Sequence, residues 1–246
     1  MPRPGRDWLM RSAASGNARG RVRSFGGFTL IELLVVVAII SLLIGILVPS
    51  LGRSRDAARR VKCLANLRSI GMGLRLYMDT ESGDLLPLVL PLQGPGGLSE
   101  DPALLDLLER YLDAPQPRRD PDQPAFFVSS DPYVCPADRS SSDADQQFEP
   151  VWRSFGTSYE YFAGGLMLYA EVLLGRDPGE IPTVVTRHYE NHPKLPVLVD
   201  GDTDENPWHP RWRNRSLPQR DALYFDGHAD WQGPILQRDL ELRFGD

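Results

Sequence analysis

The chain has 246 residues, a formal net charge of -6, 22 glycines, 22 prolines and two cysteines. Gly and Pro at that density exclude a plain helical bundle, the negative balance excludes a basic nucleic-acid-binding main domain, and two cysteines exclude a disulfide-dense scaffold. Set apart from a membrane anchor, roughly 170 to 200 residues remain, enough for one domain with its own core.

Residues 1–27 hold Arg3, Arg6, Arg11, Arg19, Arg21 and Arg23 against one acid, Asp7, a net of +5 that leaves -11 on the rest. A basic, Ser/Gly-rich leader ahead of an apolar run is the layout of a targeting segment. The run, Phe28 to Leu51, contains one charge, Glu32. As a helix it reaches roughly 36 Å, enough to cross a bilayer core. Three readings meet this pattern. A cleaved signal peptide is opposed by the length of the run and by the lack of an A-x-A-like site after it. A plain signal anchor leaves Glu32 as a cost of about 2–3 kcal/mol in lipid. A cut between Gly27 and Phe28 removes that cost, because the new α-amino group can pair with the carboxylate of a neighbouring subunit and fix its register.

Pro49 lacks an N–H and clashes with the carbonyl of Gly45, so residues 45–50 are expected to kink or to melt. Beyond it Cys63, Leu67, Ile70, Leu74 and Tyr77 recur as one apolar stripe, with Arg59, Lys62, Arg68 and Arg75 off it. Gly83 is the expected C-terminal stop. The long helix is thus placed over 28–83, its transmembrane part over about 28–51.

Residues 84–246 read as a small, loop-rich α+β domain. Asp101 as N-cap and Pro102 at the first helical position predict a short helix to about Leu112. "APQPRRDPDQP" is a loop, "AFFVSS" a strand, "ADRSSSDADQQ" a polar loop and "TSYEYFA" a strand. "GLMLYAEVLLG" predicts a short helix ending at Gly175, and "KLPVLVD" a buried strand. "RDALYFDGHADWQG" is a hairpin signal with Asp226-Gly227 as the turn pair.

Cys63 and Cys135 are compatible with a disulfide or with two buried free thiols; an extracytoplasmic location favours the bridge, closing a loop worth up to roughly 4 kcal/mol. His188, His192, His209 and His228 lie near Asp200, Asp202 and Asp204, but no His-Glu-x-x-His, Cys-x-x-Cys, phosphate loop or nucleophile elbow occurs. His188 and His192 are four apart, and Pro193 and the surrounding prolines oppose a helix there. The histidines read as solvated or structural, and no enzymatic activity is expected. "VDGDTDEN" is an acidic turn or a candidate Ca²⁺ site made by Asp200, Asp202 and Asp204; it is no EF-hand, with Glu205 and Arg211 where Gly and Glu are required.

The segment Gly27-Phe28-Thr29-Leu30-Ile31-Glu32 with its apolar helix resembles the processing signal of the type IV pilin and type II secretion pseudopilin superfamily. The resemblance implies that a prepilin peptidase cuts after Gly27 and N-methylates Phe28, with Glu32 serving methylation or subunit recruitment. It also implies a proline at the position of Pro49, a leader facing the cytoplasm and a domain outside the cytoplasmic membrane. Lys/Arg counting alone leaves the topology open, because Arg53, Arg55, Arg59, Arg60 and Lys62 flank the far side. Further blocks, "CLANLRSIGMGLRLYMD", "VCPAD" and "YFDGHAD", match a subgroup of pilin-like proteins with a DGH ending, here Asp226, Gly227 and His228. In that subgroup a histidine precedes the DG pair by nine intervening residues; here sixteen separate His209 from Asp226. Major pseudopilins often hold calcium in a C-terminal loop, which the Asp200 segment parallels.

The expectation is therefore a pilin-like α+β protein: leader 1–27 removed, helix 28–83, globular domain 84–246, single-pass in the bacterial inner membrane, N-terminus cytoplasmic, domain periplasmic or extracellular. Its partners would be a prepilin peptidase/methylase, other pilin-like subunits, an inner-membrane assembly platform and membrane lipid, with no nucleic acid on the main domain and no cofactor apart from the candidate Ca²⁺. The alternative is a membrane-anchored extracytoplasmic binding or metal-dependent module that never polymerises; cleavage after Gly27 separates the two.

Overall fold

The computed structural model describes residues 29–92, 94–95, 102–138, 149–201, 220–233, 235 and 237–242. The chain divides into two compact units, Met1–Val48 and Pro49–Asp246. Helix α1, Leu30–Tyr77, contributes to both. In the first unit its residues Leu30–Val48 are apolar on all sides, and every described side chain is exposed, from Leu30 at 80% to Val36 at 45%. A helix hydrophobic all round whose described side chains are all exposed is suited to lipid or to other helices. The helix assignment continues without a break through Gly45 and Pro49, so no melted segment is seen.

In the second unit the same helix becomes one-sided. Cys63, Leu67, Ile70 and Leu74 of the expected stripe are buried, and Tyr77 is half-buried. Burial of side chains of this size stabilises by about 1.5–3 kcal/mol each. A π-helical turn, Met78–Ser82, follows, and Gly83 stops it in the left-handed conformation (φ 64°), its N–H bonded to the Met78 carbonyl.

The remaining elements are α2 (Leu104–Leu108, extended by a 3₁₀ turn to Tyr111), β1 (Arg118–Arg119), β2 (Phe127–Val128), α3 (Val151–Phe155), β3 (Tyr159–Tyr161), α4 (Phe162–Val172), α5 (Ile181–Asn191), β4 (Pro196–Asp200), β5 (Asp221–Tyr224), β6 (Ala229–Trp231) and a 3₁₀ turn, Gln237–Leu240. Strands β3-β4-β5-β6 form one antiparallel sheet in that order; β1 and β2 make a separate two-residue ladder. The protein thus combines one long N-terminal apolar helix with a small antiparallel-sheet domain, a pilin-like α+β arrangement.

Several boundaries differ from the sequence reading. The expected N-cap Asp101 lies outside the described residues; α2 starts at Leu104, where Asp106 accepts the Ala103 N–H at 2.9 Å. "AFFVSS" shrinks to two strand residues, and its partner is Arg118–Arg119, within the stretch read as a loop. The strand in "TSYEYFA" ends at Tyr161 because α4 begins at Phe162. The polar loop at 137–147 also lies outside the described residues apart from Ala137 and Asp138. Helix α5 overturns the view that proline rules out a helix at His188. Pro182 sits in the first turn, where no N–H is needed, and Pro193 falls after the end. Ile181, Val185 and Tyr189, all at 0% exposure, make its inward stripe.

The α1 stripe is stapled to its domain by more than apolar contact. Cys63 and Cys135 form a disulfide, Cα–Cα 4.9 Å. One turn on, Asn66 Nδ2 donates to the Val134 carbonyl at 2.8 Å and to Asp131 Oδ1 at 3.2 Å, and Lys62 pairs with Asp131 at 2.8 Å. One turn back, Arg60 Nε bonds the fully buried Asp221 carboxylate on β5 at 3.0 Å while its guanidinium stacks 3.6 Å above Trp231 on β6. At Gly71 a methyl group would stand 2.7 Å from Leu223 Cδ1, so the helix lies close against β5. Three buried tyrosines close the sheet side: Tyr159, Tyr161 and Tyr189 donate to the carbonyls of Cys63, Pro87 and Pro196. Burial pushes all three phenols well above their ordinary pKa, so they remain donors at every physiological pH.

Non-reducing peptide mapping should recover Cys63 linked to Cys135. Replacing both by Ser should lower domain stability by about 4 kcal/mol, the loop-entropy value for a separation of 72 residues. Complete alkylation of both thiols in unfolded, unreduced protein would contradict the bridge.

Candidate functional site

The candidate processing segment is Gly27-Phe28-Thr29-Leu30-Ile31-Glu32. Gly27 and Phe28 lie outside the described residues; Thr29 and Glu32 are described. Thr29 precedes the first helical residue and Glu32 is the third. Thr29 Oγ1 accepts the Glu32 N–H at 3.2 Å. Glu32 Oε2 accepts the Thr29 N–H at 2.9 Å and the Thr29 hydroxyl at 2.7 Å. This is a reciprocal capping box: two of the helix's unpaired N–H groups are satisfied by each other's side chains. A carboxylate at a helix N-terminus is further favoured by the helix dipole. The only charge of the apolar run is therefore wrapped within its own first turn. The sequence reading assigned Glu32 a partner across subunits and missed the partner three residues away, although Thr-x-x-Glu before an apolar run is its signal.

The DGH ending forms the β5–β6 turn. Gly227 adopts a φ of 86°, and its N–H bonds the Tyr224 carbonyl at 2.9 Å. Asp226 Oδ1 accepts the His228 N–H at 3.1 Å and its ring Nδ1–H, while the ring stacks on Tyr224, centroids 4.4 Å apart. Burial alone raises the Asp226 carboxyl, but the hydrogen bonds from His228 outweigh it and the net value is lowered. Each residue thus has a turn-forming duty: Gly for the left-handed backbone, Asp for the local bond, His for the ring contact.

The other histidines behave as structure. His188 and His192 stack at 4.0 Å; His188 Nε2 donates to the Asp239 carbonyl at 2.7 Å, and His192 Nδ1 to the His188 carbonyl at 2.9 Å. His209 lies outside the described residues. Among the described residues no group of three or more His, Cys, Asp or Glu is placed to hold a metal. Of the candidate calcium ligands, Asp202 and Asp204 lie outside the described residues. Asp200 ends β4, is 1% exposed, and its Oδ2 accepts the Asp221 N–H at 3.1 Å. That carboxylate belongs to the sheet rather than to an open turn.

Asp138, which the sequence reading passed over inside "VCPAD", joins the cysteine loop to α3. It accepts the N–H groups of Val151 at 3.1 Å and Trp152 at 3.2 Å and the Ser158 hydroxyl at 2.6 Å. Ser158 Oγ in turn accepts the Cys135 N–H at 3.0 Å. An Asp three residues after a cysteine carries no periodicity, so no sequence pattern singles it out.

Residues 22–48 match the family model described as the prokaryotic N-terminal methylation motif. Gly27, Phe28, Thr29 and Glu32 all fall inside that match, which is consistent with a type IV pilin-like or pseudopilin-like protein. Comparisons with curated proteins and with solved structures give no match.

Two outcomes follow from this geometry. In detergent micelles, Thr29→Ala and Glu32→Ala should each speed amide exchange in the first turn of α1, each costing about 1 kcal/mol of local stability. The double variant should be little worse than either single one, because both remove the same box; unchanged exchange in Glu32→Ala would show that the carboxylate does not cap. The second outcome concerns His188, whose burial holds its pKa below the ordinary value. It is neutral in the fold while the unfolded chain protonates near pH 6.5. Stability from this residue is therefore complete above about pH 6.5 and is lost as pH falls through the lower, folded value. His188→Gln should flatten the fall in melting temperature between about pH 7 and 5 relative to the unaltered protein; parallel curves would remove His188 from the acid response.

Proposed function

We propose that this chain is a prepilin-like subunit: cut between Gly27 and Phe28, N-methylated on Phe28 and inserted into a helical filament of the type II secretion pseudopilus or type IV pilus kind. The observation that carries the reading is the ordered motif Gly-Phe-Thr-Leu-Ile-Glu at the front of the apolar helix, within the match at 22–48. The peptidase acts on a bond beside a small residue at the membrane edge, and Gly27 supplies that residue. Processing creates an α-amino group one residue before the Thr29–Glu32 box. The carboxylate then has two takers, its own first turn and an ammonium, and only the second depends on the cut.

Assembly is supported by a second feature. Opposite the buried stripe of α1, Ala58, Val61, Ala65, Met72 and Leu76 recur at helical spacing on the outward face. Val61 at 67% and Met72 at 63% are among the more exposed apolar side chains of the domain. An apolar stripe on each side of one helix suits a subunit that packs on its own domain by one face and on neighbours by the other. In this reading the leader faces the cytoplasm, the domain lies in an oxidising extracytoplasmic space that suits the Cys63–Cys135 bridge, and the chemistry of processing and the energy of assembly come from other proteins.

Mass spectrometry of protein from native membranes should give a mature N-terminus at N-methyl-Phe28, and Gly27→Arg should leave the leader attached. A mature chain still beginning near Met1 would defeat the assignment and favour an anchored module that does not polymerise.

A further inference from the structure

The C-terminal end of α4 presents an apolar ridge to water. Leu168, Tyr169 and Val172 share one face of the helix, and Leu173 and Leu174 carry the ridge into the turn after it. Val172 is 67% and Leu173 71% exposed. Contiguous apolar surface of this kind on a folded domain marks an interaction site. Exposed Glu171, Arg176, Asp177 and Glu180 lie along the same stretch of chain, three acids to one base.

A matching surface exists on the same chain. Segment Pro49–Tyr77 of α1 carries seven Arg or Lys against the single acid Asp56, a net of +6, whereas residues 78–246 carry 14 basic and 30 acidic side chains, a net of -16. The later cations of the helix are used within the domain: Arg60 on Asp221, Lys62 on Asp131, Arg75 on Asp79 and Asp84. Arg53 and Arg55, earlier in the helix, are exposed, and exposed Ala57, Ala58 and Val61 follow them. One surface is apolar with an acidic edge, the other apolar with a basic edge.

We propose that the α4 ridge docks a second copy of this chain through residues 53–61 of that copy's α1, apolar side chains meeting apolar and Arg53 and Arg55 facing Glu171 and Asp177. The inference rests on the filament reading and names one of its contacts. A contact between two different surfaces of identical chains is heterologous, and where its rotation does not close it propagates as an open helical array. A ridge-on-ridge pairing stops at a dimer and sets acid against acid. Complementary charge at the edge supplies register and selects against wrong pairings.

The test uses the full-length chain in its own membranes. With Ala57→Cys and Val172→Cys in one chain, mild oxidation should give a ladder of covalent oligomers, and either single variant no more than traces of dimer. Arg53→Glu with Arg55→Glu should reduce the ladder at least tenfold, and adding Glu171→Arg with Asp177→Arg should restore it. Non-reducing mapping of Cys63–Cys135 reports folding in the same samples, and a photo-crosslinking side chain at Tyr169, its adduct mapped to residues 53–61 of another copy, gives the same answer without new cysteines. Chains processed at Phe28 that yield neither ladder nor adduct overturn the docking surface and leave the filament reading standing. Chains that keep their leader overturn that reading and the contact with it. A strong dimer from Val172→Cys alone, or quenching of a label at position 172 by a lipid-phase nitroxide, assigns the ridge to an isologous pair or to the bilayer and overturns the proposal.

Discussion

The structure depends on one helix having to satisfy two kinds of surroundings. Through Val48 it is apolar on every side, which only lipid or other helices accommodate. From Arg60 onward one face of it becomes the floor of a folded domain, and a series of tertiary contacts is anchored there. Arg60 reaches the β5–β6 hairpin, Cys63 and Asn66 hold the 131–135 segment, Arg68 donates to the Ala229 carbonyl at 2.9 Å, Gly71 admits Leu223, and Arg75 binds Asp84. The sheet is small, and its outer strands are three residues long. It packs on α4 at β4 and on α1 at β5, so two helices share its apolar surface.

The legible part of this arrangement was periodic. The stripe at Cys63, Leu67, Ile70 and Leu74 announces a buried helix face whatever packs on it, and Asp226-Gly227 announces a hairpin because few residues tolerate φ above zero. Helix α5 was equally periodic, with Ile181, Val185 and Tyr189 four apart, but the two prolines near its ends masked the pattern when read as breakers without regard to position. The two-residue strands β1 and β2 have no pattern to read; they exist because the chain brings Arg118 opposite Val128. The pair Arg60–Asp221 joins residues 161 apart, and the network of Asp138 with Ser158 and Cys135 joins three elements. Such contacts are set by tertiary placement, and local sequence carries no trace of them. For the candidate processing segment the reverse holds: its motif is six consecutive residues at the front of one helix, so it was more legible than the domain.

Asp221, Asp200 and Glu32, three acids placed where a charge is expensive, are each stabilised by a different means. Asp221 is buried in a fixed core and is met by a guanidinium that is itself clamped over Trp231, a permanent arrangement in which losing either partner strands a charge. Asp200, also buried, leans on the backbone of the next strand and so is part of the sheet's own bonding. Among the described residues, Glu32 meets neither a core nor a cation. Its bonds to Thr29 are local, exposed in the isolated chain and made entirely within one turn. A local cap can be exchanged at little cost, since breaking it frees only groups that a new partner can satisfy at once. In the filament reading proposed above, a carboxylate tolerated in lipid before assembly and offered to another chain during it would need that kind of bond. In that reading a buried ion pair at Glu32 would shelter the charge better and withhold it from a neighbour.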